Sequence, residues 1–305
     1  MITVLAGGVG AARFLEGLVQ VAPPEEVTVV VNAGDDEDFH GLHVSPDIDT
    51  VIYTLAGAVD GGQGWGLEGD TYACLEALGV LGRDTWFRLG DRDLATHVHR
   101  TWLLRQGRTL SEATASIAAA FGVPSRVLPM SDEPAPTRVD TDEGRLTFQE
   151  YFVRGRHQAP VRRIDLGAAE RARPAPGVLE ALAGAERVVL APSNPLVSIG
   201  PVLAVAGVRQ ALRTTAARVV AVSPIVGGRA LKGPADRMLV ALGYEASSAA
   251  VARLYTDFVD ALVLDEVDAS QATEVEALGL KAVVGPTVMA GPSEKRALAR
   301  LALSA

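Results

Sequence analysis

The chain has 305 residues, 48% of them hydrophobic and 21% charged, with 31 glycines, which fits a turn-rich globular enzyme and excludes a disordered chain. A net charge of −9 argues against nucleic acid or an anionic membrane surface as partner, and no apolar run reaches the roughly 18 residues of a membrane span. Cys74 is the only cysteine, which leaves no internal disulfide and no cysteine-held zinc, and fits a reducing cytoplasm.

In chain order, Met1–Ala6 reads as a first strand, entered without a basic leader, so no signal peptide is expected. Gly7-Gly8-Val9-Gly10-Ala11-Ala12-Arg13 then turns into a helix through Leu15, Leu18 and Val19. This layout points backbone N–H groups and a helix N-terminus at a phosphate, which makes Gly7, Gly8 and Gly10 candidate binding residues. As a dinucleotide fingerprint it departs twice. Arg13 stands at the third glycine position, and Asn32 ends the second strand where a ribose-binding acid is expected. A nucleotide-phosphate loop is therefore the better reading, and an NAD-dependent oxidoreductase a disfavoured rival.

Val27–Val31 is a β-branched run of the kind buried on both faces of a sheet. It breaks at Asn32-Ala33-Gly34 into four acids, Asp35 to Asp38, which read either as a solvated turn or as part of a site. Asp47 and Asp49 lie in Ser45-Pro46-Asp47-Ile48-Asp49-Thr50, a stiff helix start. Carboxylates facing a phosphate require a divalent cation between them, so Asp47 and Asp49 are the candidate metal ligands. His40 and His43 lie close by without a third soft ligand.

Helices are predicted near 71–79, 94–106 and 110–121. Between the first two, Gly90-Asp91-Arg92-Asp93 is either a local ion-pair cap or a turn that offers Arg92 to a substrate. His97 and His99 fall on different faces of their helix, so one of them at most lines a pocket. From Ser125 to Asp165 short alternating segments replace the helical rhythm, at 126–128, 136–139, 145–151 and 161–164, with Asp142-Glu143-Gly144 as a hairpin turn. A small β-rich insertion over 123–169 is expected, between core segments 1–122 and 170–305.

Strands return at 188–190, 219–222, 261–264 and 281–284. The first breaks into Pro192-Ser193-Asn194-Pro195-Leu196-Val197-Ser198, and the second into Ser223-Pro224-Ile225-Val226-Gly227-Gly228. Ser193, Asn194, Ser198, Ser223, Gly227 and Gly228 thus join a common rim of strand ends, the usual place for a nucleotide. The fold class is α/β, with a mainly parallel sheet.

Taken together, GGVGAARFLEGL, VVVNAGDD, SPDIDTVIYTLAG, LGDRDLATH, LPMSD, SNPLVSIGP and VSPIVGG resemble the 2-phospho-L-lactate transferases of coenzyme F420 biosynthesis. The motifs run from Gly7 to Gly228, and Tyr255-Thr256-Asp257-Phe258 also fits. The resemblance implies a Rossmann-like core, a cytoplasmic homodimer, and a Mg²⁺ requirement met at Asp47 and Asp49. It further implies transfer of a phospho-carboxylate group from a guanosine diphospho-linked donor to the deazaflavin Fo, with release of GMP. Gly8 and Gly10 would hold a phosphate, and Ser193, Asn194, Ser198, Gly227 and Gly228 the guanosine side. Arg92 or Arg13 would offset transition-state charge or hold the donor carboxylate. Arg outnumbers Lys heavily, Lys232, Lys281 and Lys295 being the only lysines, which tilts the donor toward phosphoenolpyruvyl over 2-phospho-L-lactyl. The alternative is a non-catalytic nucleotide-sugar-binding regulatory protein of the same superfold.

Overall fold

A computed structural model describes residues 1–305. Strand β1 (Ile2–Ala6) and strand β2 (Val27–Val31) pair in parallel, from Ile2 opposite Val27 to Ala6 opposite Val31. They belong to a seven-stranded sheet whose order is Lys281–Gly285, Ala261–Asp265, Arg218–Val222, Arg187–Leu190, β1, β2, Arg126–Pro129. Every pairing in it is parallel. Such a sheet is stable only when covered on both faces, and β2 is accordingly buried along its whole length.

From β1 the chain moves outward through β2 to Arg126–Pro129. It then returns to the other side of β1 and runs outward again. The order reverses between β1 and Arg187–Leu190. That reversal opens a crevice at the carboxyl ends of the two strands, where ligands bind in doubly wound folds. Helix α1 (Gly8–Leu18) follows β1 and packs against α2 (Pro46–Leu55) and the C-terminal helix Pro292–Ser304. Gly17 permits the last contact, because a Cβ there would lie 2.3 Å from the Lys295 carbonyl oxygen.

Two expectations shift. Arg126–Pro129 pairs with β2 from Thr28–Arg126 to Val31–Pro129, so it is a strand of the main sheet and the inserted segment begins after it. Its Val127 and Leu128 are buried against the core, which is what a sheet strand needs. The segment beyond forms a separate antiparallel sheet of Arg138–Thr141, Gly144–Thr147 and Val161–Asp165, with the turn at Asp142-Glu143 as expected. The run 145–151 does not stay extended. After Thr147 the chain enters a π-helical turn, Glu150–Arg154. Thr147 and Glu150 start that turn by reciprocal bonds, each side chain accepting from the other's backbone N–H at 2.8 and 3.1 Å.

Candidate active site

A cavity of about 790 Å³ lies over the crevice. Its floor comes from the first turns after β1 and β2. Gly7, Gly8 and Gly10 line it, but for different reasons. A Cβ on Gly10 would meet the Pro192 carbonyl oxygen at 2.3 Å, and one on Gly7 would meet Ser198 at 2.8 Å. These two glycines let α1 close onto the neighbouring loop. Gly8 has φ +71°, a left-handed conformation that glycine adopts without strain, and its surroundings are open. Of the three, Gly8 is the one with open space before its backbone.

Asp47 is buried at the start of α2, where Pro46 occupies the first helical position. Its Oδ2 accepts from Asn32 Nδ2 at 2.9 Å, and the Gly8 N–H also donates to the carboxylate. Asn32 turns its Oδ1 to the Gly34 N–H at 2.8 Å, so this fully buried amide ties the end of β2 to the start of α2. It does not line the cavity. Asp35 stands beside Asp47, buried, with Oδ1 free of any hydrogen-bond partner. Burial raises both acids, Asp47 to about 6 and Asp35 well above the ordinary carboxylate range, and the Asp47 charge raises Asp35 further. The remaining acids of that run do other work. Asp36 accepts from Ser45 at 2.7 Å and meets His43 at 3.1 Å, and Glu37 and Asp38 enter a hairpin with Leu42–Val44.

Asp49 departs from the expected metal pair. Residues two apart on a helix point roughly 200° apart around its axis. Asp49 gives both carboxylate oxygens to the fully buried Arg100, one of them at 3.1 Å, and lies 3.7 Å from His97. His97 continues to Asp93 at 3.3 Å, and Asp93 accepts from Tyr53 at 2.7 Å. Asp49 lines the cavity together with Asp35 and Asp47, but its oxygens are taken up by Arg100, which leaves Asp35 and Asp47 as the lining carboxylates of this turn without a cationic partner. Of the two histidines on this helix, His97 is the one that lines the cavity, while His99 is exposed on Ser116.

Arg92 is outside the cavity. Its guanidinium donates to the Glu68 carbonyl at 3.1 Å, and its backbone N–H, with that of Asp93, is capped by Asp70. The Gly-Asp-Arg-Asp turn is thus a helix cap, with Asp91 accepting from the Ala73 and Cys74 N–H groups. Gly227 and Gly228 form the turn of a two-residue-strand hairpin, anchored by Asp268 on the Gly227 N–H, and do not reach the cavity. Ser193, Asn194, Ser198 and Ser223 do line it. Ser193 Oγ is buried without a partner, whereas Ser223 is engaged with Ser248 at 2.8 Å.

The cavity walls also hold groups that the sequence did not single out. Trp86 and Phe87 project from the loop before Arg88, with Phe87 stacked on Phe39 at 4.0 Å. Phe148 and Phe152, from the inserted segment, stack on each other at 5.4 Å. Gln149 bonds back to the Asp35 carbonyl at 3.1 Å, which fixes this aromatic wall to the carboxylate turn. Arg13 and Lys232, the latter beside Gly233 and Pro234, line the cavity as well.

A doubly wound α/β sheet with a glycine turn, a buried carboxylate pair and a deep cavity at its switch point defines the class of α/β proteins that bind ligands at the carboxyl ends of their strands. Residues 2–284 match the family model "2-phospho-L-lactate transferase CofD". The chain belongs to that family. It is 46% identical to a phosphoenolpyruvate transferase of Streptomyces griseus, over 99% of this chain and 97% of the relative. It is 44% identical to a 2-phospho-L-lactate transferase of Methanothermobacter thermautotrophicus, with the same coverage. The fold is shared with a crystal structure of a UPF0052 family protein from Bacillus halodurans, at TM-score 0.67 and 16% identity over 99% of this chain and 98% of that one. No helix is long and apolar enough to cross a membrane.

Proposed function

We propose that the chain transfers a phosphoenolpyruvyl group, or a 2-phospho-L-lactyl group, from a guanosine diphospho-linked donor to the ribityl hydroxyl of the deazaflavin Fo, releasing GMP. The reading makes it a cytoplasmic, homodimeric enzyme of coenzyme F420 biosynthesis. The observation that carries it is the Asp35–Asp47 pair, two buried carboxylates at the switch point with one oxygen unpartnered. Such an oxygen is costly unless a ligand takes it up. The pair fits Mg²⁺, which uses one or two carboxylates together with substrate phosphates. Bound there, the cation would neutralise charge on the donor diphosphate.

The chain's own residues do the rest. Asn32 and the Gly8 N–H hold Asp47 in place, and the Arg100–Asp49 pair pins the first turn of α2 on the other side. A carboxylate oxygen of the pair not engaged with the cation accepts the hydroxyl proton. The aromatic walls suit a planar ring system, and enclosure by Trp86, Phe87, Phe148 and Phe152 keeps water from competing with the hydroxyl. The 46% and 44% relatives carry different acyl names, so the donor is decided by assay. Incubation with Fo, Mg²⁺ and each guanosine donor in turn, with the product identified by mass, tests the proposal. No deazaflavin product from either donor would overturn it.

A further inference from the structure

Arg13 and Lys232 both line the cavity, and neither meets a carboxylate. Each rests on a backbone carbonyl instead, Arg13 on Met289 and Lys232 on Gln63 at 3.3 Å. They are near enough that Lys232 is lowered from its ordinary value, by burial first and then by the Arg13 charge. Two cations that share one cavity repel unless an anion comes between them. Lys232 and Met289, the partner of Arg13, follow the strands Arg218–Val222 and Lys281–Gly285 beyond the switch point, whereas Asp35 and Asp47 follow β2 on the other side.

We propose that Arg13 and Lys232 seat the leaving nucleoside monophosphate, gripping the phosphate next to the nucleoside while the transferred phosphate lies toward Asp35 and Asp47. This rests on the transferase reading above and assigns to Lys232 a role in it. In the step, a bond forms between the acceptor hydroxyl oxygen and the transferred phosphorus. The bond from that phosphorus to the bridging oxygen breaks, and its electron pair stays on that oxygen as a new terminal oxygen of the nucleoside monophosphate. The hydroxyl proton goes to a carboxylate on the far side. Arg13 and Lys232 offset the charge that collects on the departing phosphate.

Calorimetry with the metal-free full chain separates the parts. Lys232→Ala is expected to weaken GMP binding about tenfold or more, the usual loss for a charge-assisted contact, and to leave guanosine binding unchanged. Lys232→Arg should retain most of the GMP affinity. With saturating Fo, Lys232→Ala should lower kcat more than it raises the donor KM. Arg13 helps hold α1 against the Met289 loop, so Lys232, on an exposed loop, carries the test even where Arg13→Ala folds poorly. GMP affinity within about twofold of wild type in a folded Lys232→Ala protein would overturn the seat. Phosphate-dependent binding that is lost in Lys232→Ala yet equal for AMP and GMP would support the seat and overturn the guanosine reading.

Discussion

Arg100 and Asp49 form a two-pronged ion pair with both side chains inside the protein, Arg100 having no exposed surface. Asp47, two residues earlier on the same helix, faces the cavity with Asn32 and Gly8 as its partners. The two aspartates of the SPDID segment therefore do different work, and their loss should be told apart by measurement. Asp49→Asn or Arg100→Met leaves an uncompensated buried charge or removes it from its partner, which typically costs about 3–5 kcal/mol. Arg100→Lys should restore only part, because a single ammonium cannot satisfy both oxygens. Denaturant midpoints check this, and a midpoint unchanged in Asp49→Asn would show the pair to be structurally idle.

Asp35→Asn and Asp47→Asn should behave in the opposite way. Each removes a carboxylate whose ionised form is disfavoured by burial, so the fold should hold or gain a little stability while turnover falls by about a hundredfold or more. The comparison is kcat at saturating Mg²⁺ against the unfolding midpoint of the same protein. Near-normal kcat in both variants would remove the pair from the chemistry.

The same burial gives a pH dependence with a definite sign. An acid whose folded pKa is raised binds its proton more tightly when folded, so ionisation destabilises the native state. For Asp47, raised to about 6, stability is lost as pH climbs from the ordinary carboxylate range through 6, and Asp35 adds to that loss. His43 is raised by its bond to Asp36, against the effect of burial, and its contribution is also lost as pH rises through its folded value. The metal-free protein should therefore melt at a higher temperature near pH 5 than near pH 7.5. Asp47→Asn should flatten that slope without abolishing it, since Asp35 and His43 remain. A melting temperature that rises over this range in wild type contradicts the assignment.

How much of this was legible in the sequence depends on how far apart the partners lie. Val27–Val31 and the later β-branched runs gave away the strands, because burial on both faces is written into consecutive residues. The Asp35 turn and the Ser193 loop were visible as breaks after those strands. Arg92 was misleading because its turn is capped by Asp70, twenty-two residues upstream by number, and spacing says nothing about such a contact. Proximity in sequence pairs Asp49 with Asp47, whereas its partner Arg100 arrives from a different helix. The aromatic walls were hidden for the same reason: Trp86 and Phe152 belong to separate segments that only the fold brings to one cavity. Arg126–Pro129 sits among proline and charge, so its place in the main sheet rests on pairing with β2 that no local pattern records.

Phe152→Ala and Trp86→Ala should raise the KM for Fo about tenfold while moving the donor KM less than twofold, since a stacked ring contact is worth on the order of 1 kcal/mol and these rings bury large areas besides. Steady-state kinetics with each substrate varied in turn distinguishes the two effects. Equal changes in both Michaelis constants would mean that the aromatic walls shape the whole cavity rather than one substrate's end of it.

The glycine turn makes a further separation possible, because Gly8 and Gly10 answer to different constraints. A Cβ on Gly10 would sit 2.3 Å from the Pro192 carbonyl oxygen, a backbone atom that cannot swing away. Gly10→Ala must therefore push α1 off the loop that carries Ser193, which overpacking data place at about 1–3 kcal/mol or more of lost stability. At Gly8 there is room for a Cβ, the nearest atom being Asp47 Oδ1 at 3.8 Å, but φ is +71°. Alanine there is strained by about 1 kcal/mol, the order of the glycine advantage in left-handed backbone, and brings a methyl into the open space where the proposed function seats a phosphate. Gly8→Ala should thus keep most of its thermal stability and lose donor affinity, whereas Gly10→Ala should lose stability first. Melting curves and GMP titrations on the two variants decide between them. If Gly8→Ala binds GMP as wild type does while Gly10→Ala alone loses it at full stability, then Gly10 is the residue that meets the phosphate, and the packing argument for it fails.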